Sequence, residues 1–146
     1  MYLLLIKEEF SGQLKGFQLK DKSLQAVFSA LKDFDQWVIN QYGLYICKIK
    51  SDRDTSVISR RGTTEYQNWV VERGIDLELT PPDTHQPNGG SERAGKEVIT
   101  KALKMQLGAN LPGELWPECT AAAIYLYNRS PLAAKSLRSP NEVLHT

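Results

Sequence analysis

The sequence predicts an α/β domain in which a mixed sheet is covered by helices. A hairpin signal opens the chain, and β-favouring runs then alternate with segments of helical periodicity. Gly, Pro, Asn and Asp punctuate nearly every junction. The resulting order is strand, strand, helix, strand, helix, strand, helix, helix, the pattern of a sheet packed on helices. At 146 residues the chain fits one domain spanning 1–146, long enough to bury a core.

Each element has its own signal. Tyr2 to Phe10 is apolar and then charged, Leu14 to Leu19 alternates, and Ser11-Gly12-Gln13 lies between them as a tight turn. Asp21 or Ser23 caps the next segment, where Leu24, Val27, Phe28, Leu31, Phe34, Val38 and Tyr42 recur at helical spacing. Gly43 stands where a left-handed C-terminal residue belongs. Leu44 to Lys50 is a short β-favouring run that stops at Ser51-Asp52. Residues 53–63 read as a loop and Thr64 to Arg73 as a helix closed by Gly74. Ile75 to Leu79 reads as a strand ended by Pro81-Pro82. A long helix is expected from about Gly90 to Leu107, ending at Gly108. After Pro112 another carries Leu115, Trp116, Cys119, Ala122, Ala123, Leu126 and Tyr127. From Ser130-Pro131 onward, and about 132–146 in particular, the tail reads as loop-like.

Composition excludes several classes. Hydrophobic and charged shares of 41% and 24% are those of an ordinary globular chain. A net charge of +1 gives no bulk electrostatic case for nucleic-acid binding. The charge is unevenly spread, with seven basic and five acidic residues in 1–50, four and eight in 51–92, and seven and four in 93–146. An acidic middle between basic flanks suits a cation site beside a phosphate-binding surface, although a solvated mixed surface reads the same way. Cys47 and Cys119 are isolated and His85 and His145 lack zinc spacing, so a reduced, intracellular protein is expected. The opening apolar run to Ile6 is too short for a signal segment or a membrane span.

The densest chemistry lies in Thr84 to Arg93, where a Gly/Pro-broken polar loop runs into a helix and delivers Glu92 in its first turn. Asp52 stands at the end of a strand expected to lie deep in the sheet. The two suggest a shared Mg²⁺ site, because that ion takes oxygen ligands and needs only one or two carboxylates. Asp52 also reads as a turn-capping aspartate, with Asp54 a weaker alternative, and Glu92 as an acid favoured by the helix dipole. At about 100° per residue, Gly95, Ile99, Ala102 and Leu103 fall on the side of Glu92, so this carboxylate is expected to point with the core-facing stripe. Lys96, one turn on, is placed to meet a phosphate or to pair with Glu92. Arg93, Lys101 and Lys104 form a basic face that suits a nucleic-acid backbone or plain solvation. Gln86, Asn88 and Gly89 occupy the preceding turn, where polar contacts to a strand are expected of Gln86 and Asn88. Trp116 reads as core rather than as a base-stacking platform.

At these residues the chain resembles the integrase catalytic core of copia-type retrotransposons. The resemblance rests on Lys50-Ser51-Asp52, on Gly74-Ile75 with Leu79-Thr80-Pro81-Pro82, and on Gln86 through Arg93. Ala109-Asn110-Leu111-Pro112 through Trp116, Tyr125 through Pro131, and Ser139-Pro140-Asn141-Glu142 continue it. Tyr2 to Leu19 is similar to the family's second and third strands, so nearly the whole chain is covered. The resemblance implies a ribonuclease H-like fold and three acids holding two Mg²⁺ or Mn²⁺ ions for in-line displacement at phosphorus. It implies that Asp52 is the second acid and Glu92 the third, and that Lys96 matches a lysine used for DNA. It further implies DNA as partner (retrotransposon ends and target), RNA as a further one, a homo-oligomer, no membrane, and a nuclear or cytoplasmic setting.

The chain departs from the family's pattern in three places. The first acid lies on a strand ahead of Tyr2, so that strand is expected to be missing here, and only two of the three acids are present. Glu8 and Glu9 match paired acids that are not catalytic ones. The 39 residues between Asp52 and Glu92 exceed the family's usual spacing near Ser59-Arg60-Arg61-Gly62, and Arg53-Asp54 replaces its Asn-Gly. The expectation is therefore an integrase domain inactive alone. The alternative is a non-catalytic nucleic-acid-binding or interaction module on the same fold.

Overall fold

The structure, a computed structural model, describes residues 2–52, 64–80 and 89–145. Its elements run β1 (Tyr2–Lys7), β2 (Leu14–Leu19), α1 (Leu24–Tyr42), β3 (Lys48–Asp52), α2 (Thr64–Arg73), β4 (Asp76–Thr80), α3 (Gly89–Gly108), α4 (Trp116–Asn128) and α5 (Pro140–His145). Short 3₁₀ turns lie at Gly113–Leu115 and Ala133–Lys135. Among the described residues the strands form two pairs, β1 with β2 and β3 with β4. The chain divides into two compact units, one of Leu19–Gly89 with the first two residues, the other of Leu3–Gln18 and Gly90–Thr146.

In the first unit α1 starts and stops where its caps dictate. Ser23 Oγ accepts the Ala26 N–H at 3.2 Å, and Gly43, at φ 63°, donates its N–H to Ile39 O. Val27, Phe28, Ala30, Leu31 and Phe34 are buried, as are Tyr66 and Val70 of α2 and Ile75 beyond it. The Phe28 ring meets Tyr66 and Trp69 edge-on, at 5.4 and 5.6 Å between centroids. Arg73 reaches back from α2 to the carboxylate of Asp35, at 2.8 Å, and so compensates a charge that is only 3% exposed. β3 and β4 pair in parallel, Lys48 opposite Asp76 and Asp52 opposite Thr80.

Two expectations shift here. The strand begins at Lys48 rather than Leu44 and includes Asp52 as its last residue. Nor do the described residues place it deep in a sheet. Among the described residues it pairs with β4, and Lys48 and Lys50 are exposed. Lys48 sits 3.2 Å from Glu78 and 3.6 Å from Asp76, which fits an alternation with charged residues facing water. The apolar start of the run, Leu44 and Tyr45, is exposed without strand pairing.

The second unit holds the β1–β2 pair with α3, α4 and α5. Glu8–Gln13 is too short a link for a parallel crossover, so the two strands make a hairpin. Glu8 closes its turn: the carboxylate accepts the Phe10 and Ser11 N–H groups at 2.6 and 2.7 Å and the Ser11 hydroxyl. Gly12 takes φ 82° there, a value that suits glycine. Leu14, Ala94, Val98, Ala102, Cys119, Ala123 and Tyr127 form the core, with Met105, Trp116, Ile124 and Leu132 against it. α4 approaches β2 closely enough that a Cβ on Gly16 would lie 2.5 Å from Ile124 Cδ1.

The tail is more ordered than its composition suggests. Ser139 Oγ accepts the Glu142 N–H at 3.3 Å, while the Glu142 carboxylate accepts the Ser139 N–H at 2.7 Å. This reciprocal capping box, with Pro140 in the first turn, starts α5. The Ser139 N–H and hydroxyl hold the Glu142 carboxyl below the usual carboxylate range. A carboxyl depressed in the folded state stabilises above its unfolded pKa, and that contribution fades as pH falls through the folded value. Protection of the amides in 140–145, taken relative to their intrinsic exchange rates, should therefore fall on acidification below the ordinary carboxylate pKa, and Glu142→Gln should show a weaker pH response.

Candidate functional site

The sequence-predicted site residues fall into separate elements. Asp52 ends β3, with its backbone paired to Thr80. Its carboxylate, and Asp54, Gln86 and Asn88 altogether, lie outside the described residues. Glu92, Arg93, Lys96, Lys101 and Lys104 all lie on α3. Among the described residues no three His, Cys, Asp or Glu side chains gather as a metal-binding group.

The buried stripe of α3 is Ala94, Val98 and Ala102, with Met105 packed against the same core. Glu92 lies about 120° around the helix from Val98, and it is exposed. The expectation that it points with the core-facing stripe is therefore wrong. Its companions on that side are correctly placed relative to one another, but Ile99 and Leu103 are each 44% exposed. The packing face was misjudged because small alanines, rather than the larger apolar residues, make the close contact. What survives is the relation between Glu92 and Lys96, one turn apart on one side and both exposed. An exposed carboxylate in a helix's first turn is open to a cation from solvent.

The basic residues are not equivalent. Arg93, Lys96 and Lys104 are exposed, whereas Lys101 is half-buried and pairs with Glu97 at 3.0 Å. That pairing leaves Lys101 the weakest candidate for a phosphate. Arg93 also belongs to a group that reading along the chain missed. Burial pushes the Lys7 ammonium below its ordinary pKa, Lys135 and Arg93 push it further, and Glu9 partly offsets them. These cations come from β1, the first turn of α3 and the turn before α5. No local pattern links such distant segments.

The Asn-Arg-Ser-Pro element proves to be structural. Asn128, 5% exposed, accepts the Leu14 N–H through Oδ1 at 2.8 Å and donates Nδ2–H to Leu14 O at 2.9 Å. Its amide thus ties the end of α4 to β2. Arg129 lies over the Tyr125 ring at 3.6 Å and the Ser130 hydroxyl donates to Leu126 O. Trp116, as expected, packs against the core.

No family model matches the chain. Over 142 residues it is 30% identical to the retrovirus-related Pol polyprotein from transposon TNT 1-94 of Nicotiana tabacum, covering 97% of this chain and 10% of that protein. The corresponding polyprotein from transposon RE2 of Arabidopsis thaliana is 27% identical over 143 residues, covering 98% of the chain and 9% of the relative. The chain thus spans about a tenth of the length of these curated relatives. Among solved structures, the catalytic core domain of BIV integrase superposes with a TM-score of 0.70 at 16% identity, covering 98% of this chain and 84% of that one. The HTLV-2 integrase catalytic core domain in complex with magnesium, a trimeric form, gives 0.66 at 17%, covering 99% and 93%. A chain of the simian T-cell lymphotropic virus intasome gives 0.71 at 16%, covering 99% and 52%. The chain is a homologue of a segment of copia-type retrotransposon Pol polyproteins, and its fold is the ribonuclease H-like fold of an integrase catalytic core.

Proposed function

We propose that residues 1–146 act as one integrase catalytic-core domain in DNA integration, with Asp52 and Glu92 as two of its acids and DNA bound along the start of α3. One observation carries this reading: Glu92, Arg93 and Lys96 stand exposed on the leading turns of α3, and Lys104 stands exposed further along it, in a chain homologous along 97% of its length to a transposon Pol polyprotein. Two carboxylates fit Mg²⁺ or Mn²⁺ as donors, since such ions take oxygen ligands and fill the rest of their shell with water and phosphate. When bound, such ions stabilise the attacking and leaving oxygens of a displacement at phosphorus.

The chain's own residues do the rest. Glu92 presents a charged carboxylate to solvent. Lys96, about 40° from it around the helix, meets a phosphate that approaches the same side. Arg93 and Lys104 extend the contact, and Gln86 and Asn88, just ahead of α3 in the sequence, supply polar groups. The HTLV-2 trimeric form and the lymphotropic virus intasome support a homo-oligomer, and DNA integration supports a nuclear setting. RNA binding has no observation behind it. No described helix is long and apolar enough to cross a membrane.

DNA binding tests this reading. Log affinity should fall linearly with log salt, and Lys96→Ala should lower the magnitude of that slope by about 1. Arg93→Ala and Lys104→Ala should each do likewise, with Lys101→Ala weaker because Glu97 already holds that charge. Binding unaffected by all four substitutions together would remove the surface and favour a non-catalytic module of the same fold.

A further inference from the structure

We infer that Arg73, held by Asp35, is a positioning residue for Asp52 and fixes the register in which β3 delivers that acid. The inference rests on the metal-site reading of Asp52 above and adds residues that are not themselves ligands. All of them lie in the unit of Leu19–Gly89. The Arg73 guanidinium grips the carboxylate of Asp35 on α1 with both arms, Nη1 to Oδ2 at 2.8 Å and Nη2 to Oδ1 at 3.0 Å. A two-pronged, charge-assisted pair of this kind fixes orientation as well as distance. Asp35 is buried, so removing Arg73 would leave its charge without compensation. The same guanidinium lies over the Tyr45 ring, 5.5 Å from its centroid.

β3 needs such a fixture. Parallel strands have no tight turn between them to set their pairing, and the alternation along β3 excludes only some slips. A slip of one residue would exchange its faces, exposed Lys48 and Lys50 against half-buried Ile49 and Ser51. A slip of two keeps both faces, and Lys48, within reach of both Asp76 and Glu78, would keep an acidic partner. It would still carry the end of the strand by about 6.6 Å, far beyond what a metal–oxygen bond of about 2 Å tolerates. Contacts outside the pattern must exclude it. Tyr45 and Arg73 each stand three residues ahead of the first paired residues, Lys48 and Asp76, so their contact continues the register past the strand ends. Between them the Asp76 N–H donates to Cys47 O at 2.9 Å. The Gly74 and Ile75 N–H groups donate to Val71 O and Val70 O, which closes α2 directly onto the start of β4. The line of contacts thus runs from α1 through Asp35, Arg73 and Tyr45 to the strand that ends in Asp52.

The test compares the full chain with Arg73→Gln, Tyr45→Ala and, as a control, Val70→Ala, which loosens the packing of α2 without touching the pair. Two readouts are taken on each. One is Mn²⁺ affinity from broadening of the Asp52 amide; the other is the metal-free coupling across the hydrogen bond from the Asp76 N–H to Cys47 O. Arg73→Gln should weaken Mn²⁺ binding by about tenfold, the low end for losing a group that orients a metal ligand. Tyr45→Ala should weaken it by about two- to fivefold, the worth of an exposed cation–π contact. Both should reduce the coupling, whereas Val70→Ala should lower Tm and leave both readouts unchanged. Tyr45 is 67% exposed, so its removal spares the core, and it decides the matter if Arg73→Gln does not fold. Unchanged affinity and coupling in the folded variants, or losses matched by Val70→Ala, would overturn the inference and leave Arg73 a role in stability alone. An unaltered chain with no Mn²⁺ effect at Asp52 would remove the metal reading and the positioning role with it.

Discussion

Asn128→Ala should unfold the protein at markedly lower denaturant, with a loss of about 2–5 kcal/mol. Both halves of its amide are engaged, Oδ1 with the Leu14 N–H and Nδ2 with Leu14 O, and the site is buried. Truncation leaves a backbone donor and an acceptor without partners where water does not readily reach. Each orphaned group costs about 1–3 kcal/mol, far more than the net value of a hydrogen bond exchanged with solvent. Asn128→Asp should not rescue, because the carboxylate repels Leu14 O and buries a charge. Urea unfolding monitored by tryptophan fluorescence provides the check. A loss below about 1 kcal/mol, the size of an ordinary surface substitution, would mean that the amide does not tie α4 to β2.

The same residue shows what the sequence made legible. Asn128-Arg129-Ser130-Pro131 stood out as a motif, but its role needed the contact with Leu14, more than a hundred positions away in the chain. Local chemistry was easier to read. Ser23 and Gly43 set the limits of α1 through bonds to their own neighbours. Ser139-Pro140-Asn141-Glu142 carried an equally local capping signal, yet the Gly-free, mixed tail around it reads as loop, and α5 was missed. On α3 the helix itself was plain, but its packing face was not. Periodicity favours Ile99 and Leu103 for their size, whereas the core of this unit accepts Ala94, Val98 and Ala102 because Leu14, Cys119 and Tyr127 supply the bulk. Glu92 was accordingly assigned to the wrong environment while its neighbours on the helix were correct. The cation group of Lys7, Arg93 and Lys135 was beyond any local pattern.

The second large effect is an expected absence of activity. The purified 146-residue chain should join no donor DNA end to a target, with either Mg²⁺ or Mn²⁺. Residues 1–146 match two of the three acids that the family resemblance implies, Asp52 and Glu92, so on the proposed reading these residues alone would leave the ions that hold the attacking and leaving oxygens short of a ligand. Orientation of reacting groups is worth about 7–11 kcal/mol in effective molarity, and losing it puts strand transfer beneath detection. DNA binding does not depend on that clamp and should persist. Metal-dependent joining by this chain, abolished by Asp52→Asn and by Glu92→Gln, would show that two acids suffice.

The central proposal, that Asp52 and Glu92 serve one metal site, is tested most directly by Mn²⁺ titration followed by two-dimensional amide spectra. Paramagnetic broadening should appear together around Asp52 at the end of β3 and around Glu92 in the first turn of α3, saturating weakly as a single ion. Either Asp52→Asn or Glu92→Gln should abolish it at both places. Broadening that survives in one element when the other's carboxylate is removed, or that never appears at either, would contradict the account.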